Sequence, residues 1–136
     1  MVHANLCPCC SGKEYEECCK IFHDGKSPEN ALQLMRSRYS AYVLNKSDYI
    51  VETTHPANSQ YSKNLFEWKR SISQFSLMTT FHQLEILDFT ENDTFATVTF
   101  VAHVSQDGKD ATFTEKSLFE KINHLWLYRE GCAIDK

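Results

Sequence analysis

Gly and Pro are scarce in this chain: 136 residues contain four of the first and three of the second. Disordered linkers and low-complexity repeats are thereby excluded. No apolar run approaches the roughly 18 residues that cross a bilayer, and the opening MVHANL has neither the basic nor the apolar region of a secretory signal. A membrane is not expected as a partner, and the cytoplasm is the expected compartment. A basic excess is missing too. Fourteen Lys and Arg are interleaved with eighteen Asp and Glu, for a net charge of −4. Nucleic-acid binding driven by charge is disfavoured, because it needs a basic footprint that releases counterions from phosphates. No Ser-His-Asp order, phosphate-cradling Gly loop or H-E-x-x-H element occurs. Beyond residue 19 the only cysteine is Cys132.

The other five cysteines crowd into LCPCCSGKEYEECC, residues 6–19. In a reducing compartment such clustering indicates metal ligands before disulfides. Cys7-x-Cys9, eight intervening residues and then Cys18-Cys19 offer four thiolates, the number a tetrahedral Zn²⁺ accepts. Ser11-Gly12 supplies the turn that folds the second pair back on the first. Cys10 adds a fifth thiol, as a free oxidisable neighbour or as a substitute for Cys9, and a redox use of the cluster is the alternative. His3 and His23 are further imidazoles within chain reach. Four protein ligands close the coordination sphere, so the zinc expected here is structural rather than catalytic.

Residues 1–26 form the cysteine segment, and 27–136 the main domain. Ser27-Pro28-Glu29 has the chemistry of a helix entry, and ALQLMRSRYSAYVLN follows with Leu32, Met35, Tyr39, Tyr42 and Val43 on one helical face. The same stripe takes in Arg36, with Arg38 at its edge. KSDYIVETTHP predicts a short helix stopped before Pro56. SQYSKNLFEWKRSISQF predicts a third helix, with Ser59 as its cap. The pattern then turns to β-branched and aromatic strands, MTTFHQLEILDF, TFATVTFVAHV, ATFTEKSLFEKI and LWLYREGCAI, joined by hairpin-length connections. Helices first and strands afterwards predict an α+β domain, a curved antiparallel sheet forming a cone over three N-terminal helices.

The cysteine spacing, with its S-G-K turn, tyrosine and C-C end, resembles the SEC-C motif, the zinc-binding element best known from the tail of the SecA translocation ATPase. The resemblance implies Cys7, Cys9, Cys18 and Cys19 as zinc ligands. The motif normally has Gly where this chain has Cys10. Many SEC-C motifs are also lysine-rich where this one has the acidic KEYEE. Further on, LMRSRYSAYV, DYIVETTHP and EKSLFEKINHLWLYREG resemble, in order and spacing, the YchJ-like family of bacterial proteins. That family joins a SEC-C motif to a cone with the fold of nuclear transport factor two and ketosteroid isomerase. No established activity comes with the resemblance; it implies architecture.

Alternation in ATFTEKSLFEKI places Phe113, Glu115 and Phe119 on one face and Lys116 on the other. Glu115 is thus a carboxylate among aromatics, and Arg36 is its expected partner in a pair joining helix to sheet. His55, at the end of the second helix, is expected near the mouth of the cone, where the dipole favours a cation. His103 is expected on a polar outer face. The leading functional expectation is a zinc-binding module that takes a small ligand in the cone cavity or a protein partner through the knuckle. The alternative is an enzyme using the cavity for proton transfer or hydrolysis, with Glu115, His55 and Arg36 as its acid, base and anchor.

Overall fold

In the computed structural model the described residues run from 5 to 134; His3 lies outside them. A single 3₁₀ turn, Tyr15–Glu17, leads into α1 (Cys19–His23), and the three longer helices follow: α2 (Ala31–Val43), α3 (Ser47–Glu52) and α4 (Leu65–Met78). Among the described residues five strands follow: β1 (Thr79–Glu91), β2 (Phe95–Gln106), the two-residue β3 (Lys109–Asp110), β4 (Phe113–Ile122) and β5 (Leu125–Ala133). The sheet is antiparallel in the order β1-β2-β4-β5, with β3 pairing back on β2. Helices-then-meander is therefore the architecture, as the change of periodicity predicts.

Two helix starts lie later than expected. Asn30, not Ser27, caps α2, its side chain accepting from Gln33 N–H at 2.8 Å. Asn64, not Ser59, caps α4 by the same bond to Glu67 N–H at 3.2 Å. Asn caps as well as Ser, so the residue that wins is the one from which the apolar face can start. Tyr61 is thereby left ahead of α4, with its ring edge-on to Trp68 at 5.2 Å.

Register shifts at Phe81/Gln83 and Ile86/Asp88 bend β1, and a further one at Leu118/Phe119 bends the β4–β5 pair. Such irregularities increase local twist and curl the sheet round the helices. The inner face of β2 carries Ala96, Val98, Phe100, Ala102 and Val104, all buried. His103 falls on the other face, 3.2 Å from Glu85 Oε1, as alternation requires. The exposed edge of β5 is partly covered: His55 N–H donates to Tyr128 O, and Tyr128 N–H to Thr53 O. No described helix is long and apolar enough to cross a membrane.

Candidate functional site

Two places gather chemistry, and α2 lies between them. The first is the cysteine cluster. The sulfurs of Cys7, Cys9, Cys18 and Cys19 all lie within 4.8 Å of one another, with Cys9 to Cys18 at 3.6 Å and Cys18 to Cys19 at 4.0 Å. A tetrahedral ion with metal–sulfur bonds of about 2.3 Å needs sulfurs about 3.8 Å apart. The donor set therefore fits a soft divalent metal. Hydrogen bonding from Cys19 holds the Cys7 thiol well below its ordinary 9.0, and the same contact with Cys7 pushes Cys19 above it. Four sulfurs this close cannot all ionise without a cation among them.

Cys10 turns away. Its backbone has φ 66°, and its sulfur accepts from Leu84 N–H of β1 at 3.4 Å. Left-handed backbone is the conformation Gly adopts without a Cβ penalty, which accounts for the glycine usual at this place in the motif. Cys10→Gly relieves about 1–2 kcal/mol of left-handed backbone strain and forfeits the bond from Leu84 N–H, worth about 0.5–1 kcal/mol. A net gain of about 0.5–1 kcal/mol is therefore expected in a denaturant melt, with bound metal unchanged by elemental analysis. Loss of metal would place Cys10 among the ligands. Cys132 is exposed on β5, outside the cluster.

The cluster is clamped to α2. Arg36 Nη1 donates to Cys9 O at 2.7 Å, and Cys7 Sγ lies 3.4 Å from Ser40 Oγ. His23 bridges the two: Nε2 donates to Ser37 O at 2.8 Å, so Nδ1 accepts from the Tyr15 hydroxyl at 2.6 Å. The expected Arg36–Glu115 pair is therefore not formed. Helix α2 is covered on two sides, by the cone and by the knuckle, so the apolar stripe does not say which cover a given arginine faces.

Burial pulls the His23 imidazole below its ordinary 6.5, and the bond to Ser37 O offsets this only in part. The folded protein thus binds this proton less readily than the unfolded chain. Its contribution to stability is full above about pH 6.5 and falls away below it, towards the lowered folded value. An NMR titration of the His23 ring is expected to give a midpoint below 6.5; a midpoint at or above 6.5 would refute the neutral bridge.

The second place is a cavity of about 680 Å³ between α2, α4 and the inner face of the sheet. Aromatic rings dominate its wall, Trp68, Phe100 and Phe119 among them; Arg38, Glu115, Ser117 and Tyr128 form one polar group, and Gln60, Ser62, Glu67 and Ser71 also line it. Glu115 Oε2 accepts from Ser117 Oγ at 2.6 Å and from the Tyr128 hydroxyl at 3.0 Å. Gly131 sits against this pair, and a Cβ there would collide with the Glu115 carboxylate and the Tyr128 hydroxyl. Burial raises the Tyr128 phenol above its ordinary 10.0, with the Glu115 charge the next cause, which keeps the hydroxyl a donor. Arg38, only 7% exposed, lies over the Tyr128 ring with its guanidinium carbon 4.5 Å from the centroid. It is the arginine sequence reasoning set at the edge of the stripe, and no periodicity signal singles it out.

His55 does not reach the cavity. Its Nδ1 accepts from Ala57 N–H at 2.8 Å, which leaves the ring proton on Nε2, 3.0 Å from Glu120 Oε1 but out of line for a good hydrogen bond. Glu120 follows Phe119 on β4 and so projects from the opposite face of the strand. It is also held by Arg129 at 2.6 Å. Of the three residues expected to share one site, only Glu115 lines the cavity.

A cone of curved sheet over helices, holding an aromatic cavity and carrying a thiolate cluster on its central helix, defines a metal-binding module of the nuclear transport factor two class. The family model described as "YchJ, middle NTF2-like domain" matches residues 30–131, and the chain belongs to that family. It is 40% identical to a UPF0225 protein of Vibrio parahaemolyticus, covering 94% of this chain and 75% of that one. A UPF0225 protein of Actinobacillus succinogenes is 39% identical over 90% of this chain and 79% of its own length. Among solved structures, a SEC-C motif containing protein from Rhodopseudomonas palustris superposes with a TM-score of 0.82 at 34% identity, over 95% of this chain and 98% of that one. Another, from Psychrobacter arcticus, gives 0.77 at 27% identity, over 96% and 83%.

Proposed function

We propose that this is a cytoplasmic zinc protein whose cone binds a small ligand. A structural knuckle of residues 1–26 is closed by Cys7, Cys9, Cys18 and Cys19, and the cone comprises residues 27–136. The observation that carries the reading is the cavity itself: about 680 Å³ of aromatic-walled space with one convergent polar group, the ordinary form of a small-molecule site. Zinc is favoured over other soft metals by four thiolates at tetrahedral spacing, and its part is to fix the knuckle. Acid–base catalysis is not favoured, since His55 and Arg36 face other partners and Glu115 has no second titrating group in hydrogen-bond reach but the Tyr128 phenol. A protein partner could use the knuckle surface as well, and the acidic KEYEE face would suit a basic one.

Native mass spectrometry of the purified chain tests the metal, with one zinc per chain expected and a zinc-free protein overturning that half. The cavity is tested with the neutral fluorophore N-phenyl-1-naphthylamine. Saturable binding of one molecule per chain is expected, lost in Ser71→Trp, because Ser71 is exposed and lines the cavity. Binding unaffected by that substitution would place the probe elsewhere and defeat the reading.

A further inference from the structure

The cavity is lined by one cation, the buried Arg38, and by two carboxylates. Exposed Glu67 is paired with Arg70 at 3.2 Å, whereas neither Arg38 nor Glu115 has an ionic partner among the described residues. Arg38 uses only Nη1, which donates to Ile50 O at 3.1 Å, Thr53 Oγ1 at 2.8 Å and Thr54 Oγ1 at 3.1 Å. A guanidinium has five N–H donors. Those on Nη2 and Nε find no acceptor among the described residues, although the side chain lines the cavity. Glu115 shows the complementary condition. Both of its donors go to Oε2, and Oε1 accepts none.

One tyrosine holds the two charges apart. Arg38 stacks on the face of the Tyr128 ring, and Glu115 takes its hydroxyl. A fold that needed these residues only for stability would join them, or replace both with apolar groups, a change that is often neutral or stabilising. The end of α3 does not depend on Arg38 either. Thr53 Oγ1 donates to Tyr49 O at 2.7 Å and Thr54 Oγ1 to Ile50 O at 2.6 Å, so both hydroxyls keep acceptors without it.

We propose that the cavity takes a small zwitterion of the amino-acid type with an apolar body. Its carboxylate pairs with the unbonded donors of Arg38, its ammonium with Glu115 Oε1, and its body packs against Trp68, Phe100 and Phe119. This rests on the ligand-binding reading above. A simple anion would leave Glu115 unpaired and facing a like charge. A simple cation would do the same to Arg38, and a neutral apolar molecule would fill the space but match neither charge, so it binds more weakly than a zwitterion that pairs both.

Calorimetric titration of the full chain tests this with four probes: L-phenylalanine, L-tryptophan, 3-phenylpropanoate, which lacks the ammonium, and 2-phenylethylamine, which lacks the carboxylate. At least one amino acid is expected to bind tenfold or more tighter than either singly charged analogue. Arg38→Met, expected to fold for the reason just given, should cost that amino acid tenfold or more and should not weaken 2-phenylethylamine, which is relieved of a like charge. Glu115→Gln should cost it similarly and should not weaken 3-phenylpropanoate, which no longer faces a like charge. An analogue that matches the amino acids overturns the proposal, as does an affinity that neither substitution alters. Should N-phenyl-1-naphthylamine enter while both amino acids fail, the zwitterion is wrong and the ligand-binding cone stands. If none of them enters, the ligand-binding reading falls with it.

Discussion

Cys9→Ser is expected to abolish stoichiometric zinc binding and to lower the melting temperature of the whole chain by about 10 °C, in one transition rather than two. Cys9 is fully buried at the centre of the cluster. Removing its thiolate opens a site whose binding free energy is also folding free energy for the segment that makes it. The consequence spreads because the knuckle is fastened to α2 by three polar contacts, Arg36 to Cys9 O, His23 to Ser37 O and Cys7 to Ser40, while Phe22 packs on the main core. At about 1 kcal/mol for each hydrogen bond, together with the lost apolar contact, undocking costs roughly 3 kcal/mol. That corresponds to about 3–4 °C per kcal/mol for a domain of this size. Differential scanning calorimetry with parallel zinc analysis measures both quantities. A variant without zinc that melts like the parent would show that the cone owes the knuckle nothing.

Phe119→Ala is expected to cost about 3–4 kcal/mol. Phe119 is the largest fully buried side chain, 1% exposed, with the Tyr128 ring 5.7 Å away and Ala96 opposite it on β2. Truncating a buried phenylalanine costs about 3–5 kcal/mol in transfer and cavity terms. Here the space released adjoins an existing cavity, where solvent relieves part of the void, and the lower half of that range is expected. Urea unfolding followed by circular dichroism gives the value. A loss below about 1 kcal/mol would mean that Phe119 only lines the cavity and does not support its wall.

The two arginines show where reading a sequence stops. Helical spacing places both Arg36 and Arg38 near the buried stripe of α2, and it prefers Arg36. The structure sends Arg36 to the knuckle and buries Arg38 over Tyr128. Periodicity describes one apolar face, and α2 has two covers. Glu115 was legible because strand alternation is strict and its neighbours Phe113 and Phe119 mark the inner face. Its partner Tyr128 was not, since pairing across β4 and β5 depends on the irregularity at Leu118/Phe119, whereas Ser117, two residues along β4, shares the face of Glu115 by the same alternation. His55 illustrates the same limit from the other side. Its place at the end of a helix was readable, but the backbone pairing of residues 53–55 with Tyr128 turned it towards Glu120 instead of the cavity.

By itself the sequence determined the order of helices and strands and the inner face of the sheet, because each follows from local spacing along a chain of fixed geometry. Only the tertiary structure decided which arginine faces the cavity, why Cys10 turns away, and that the knuckle is bolted to the central helix. Those outcomes depend on contacts between segments distant in the chain, such as Cys9 with Arg36, Cys10 with Leu84 and Arg38 with Tyr128. Packing chooses such contacts after local preferences have been satisfied, and local preference does not encode them.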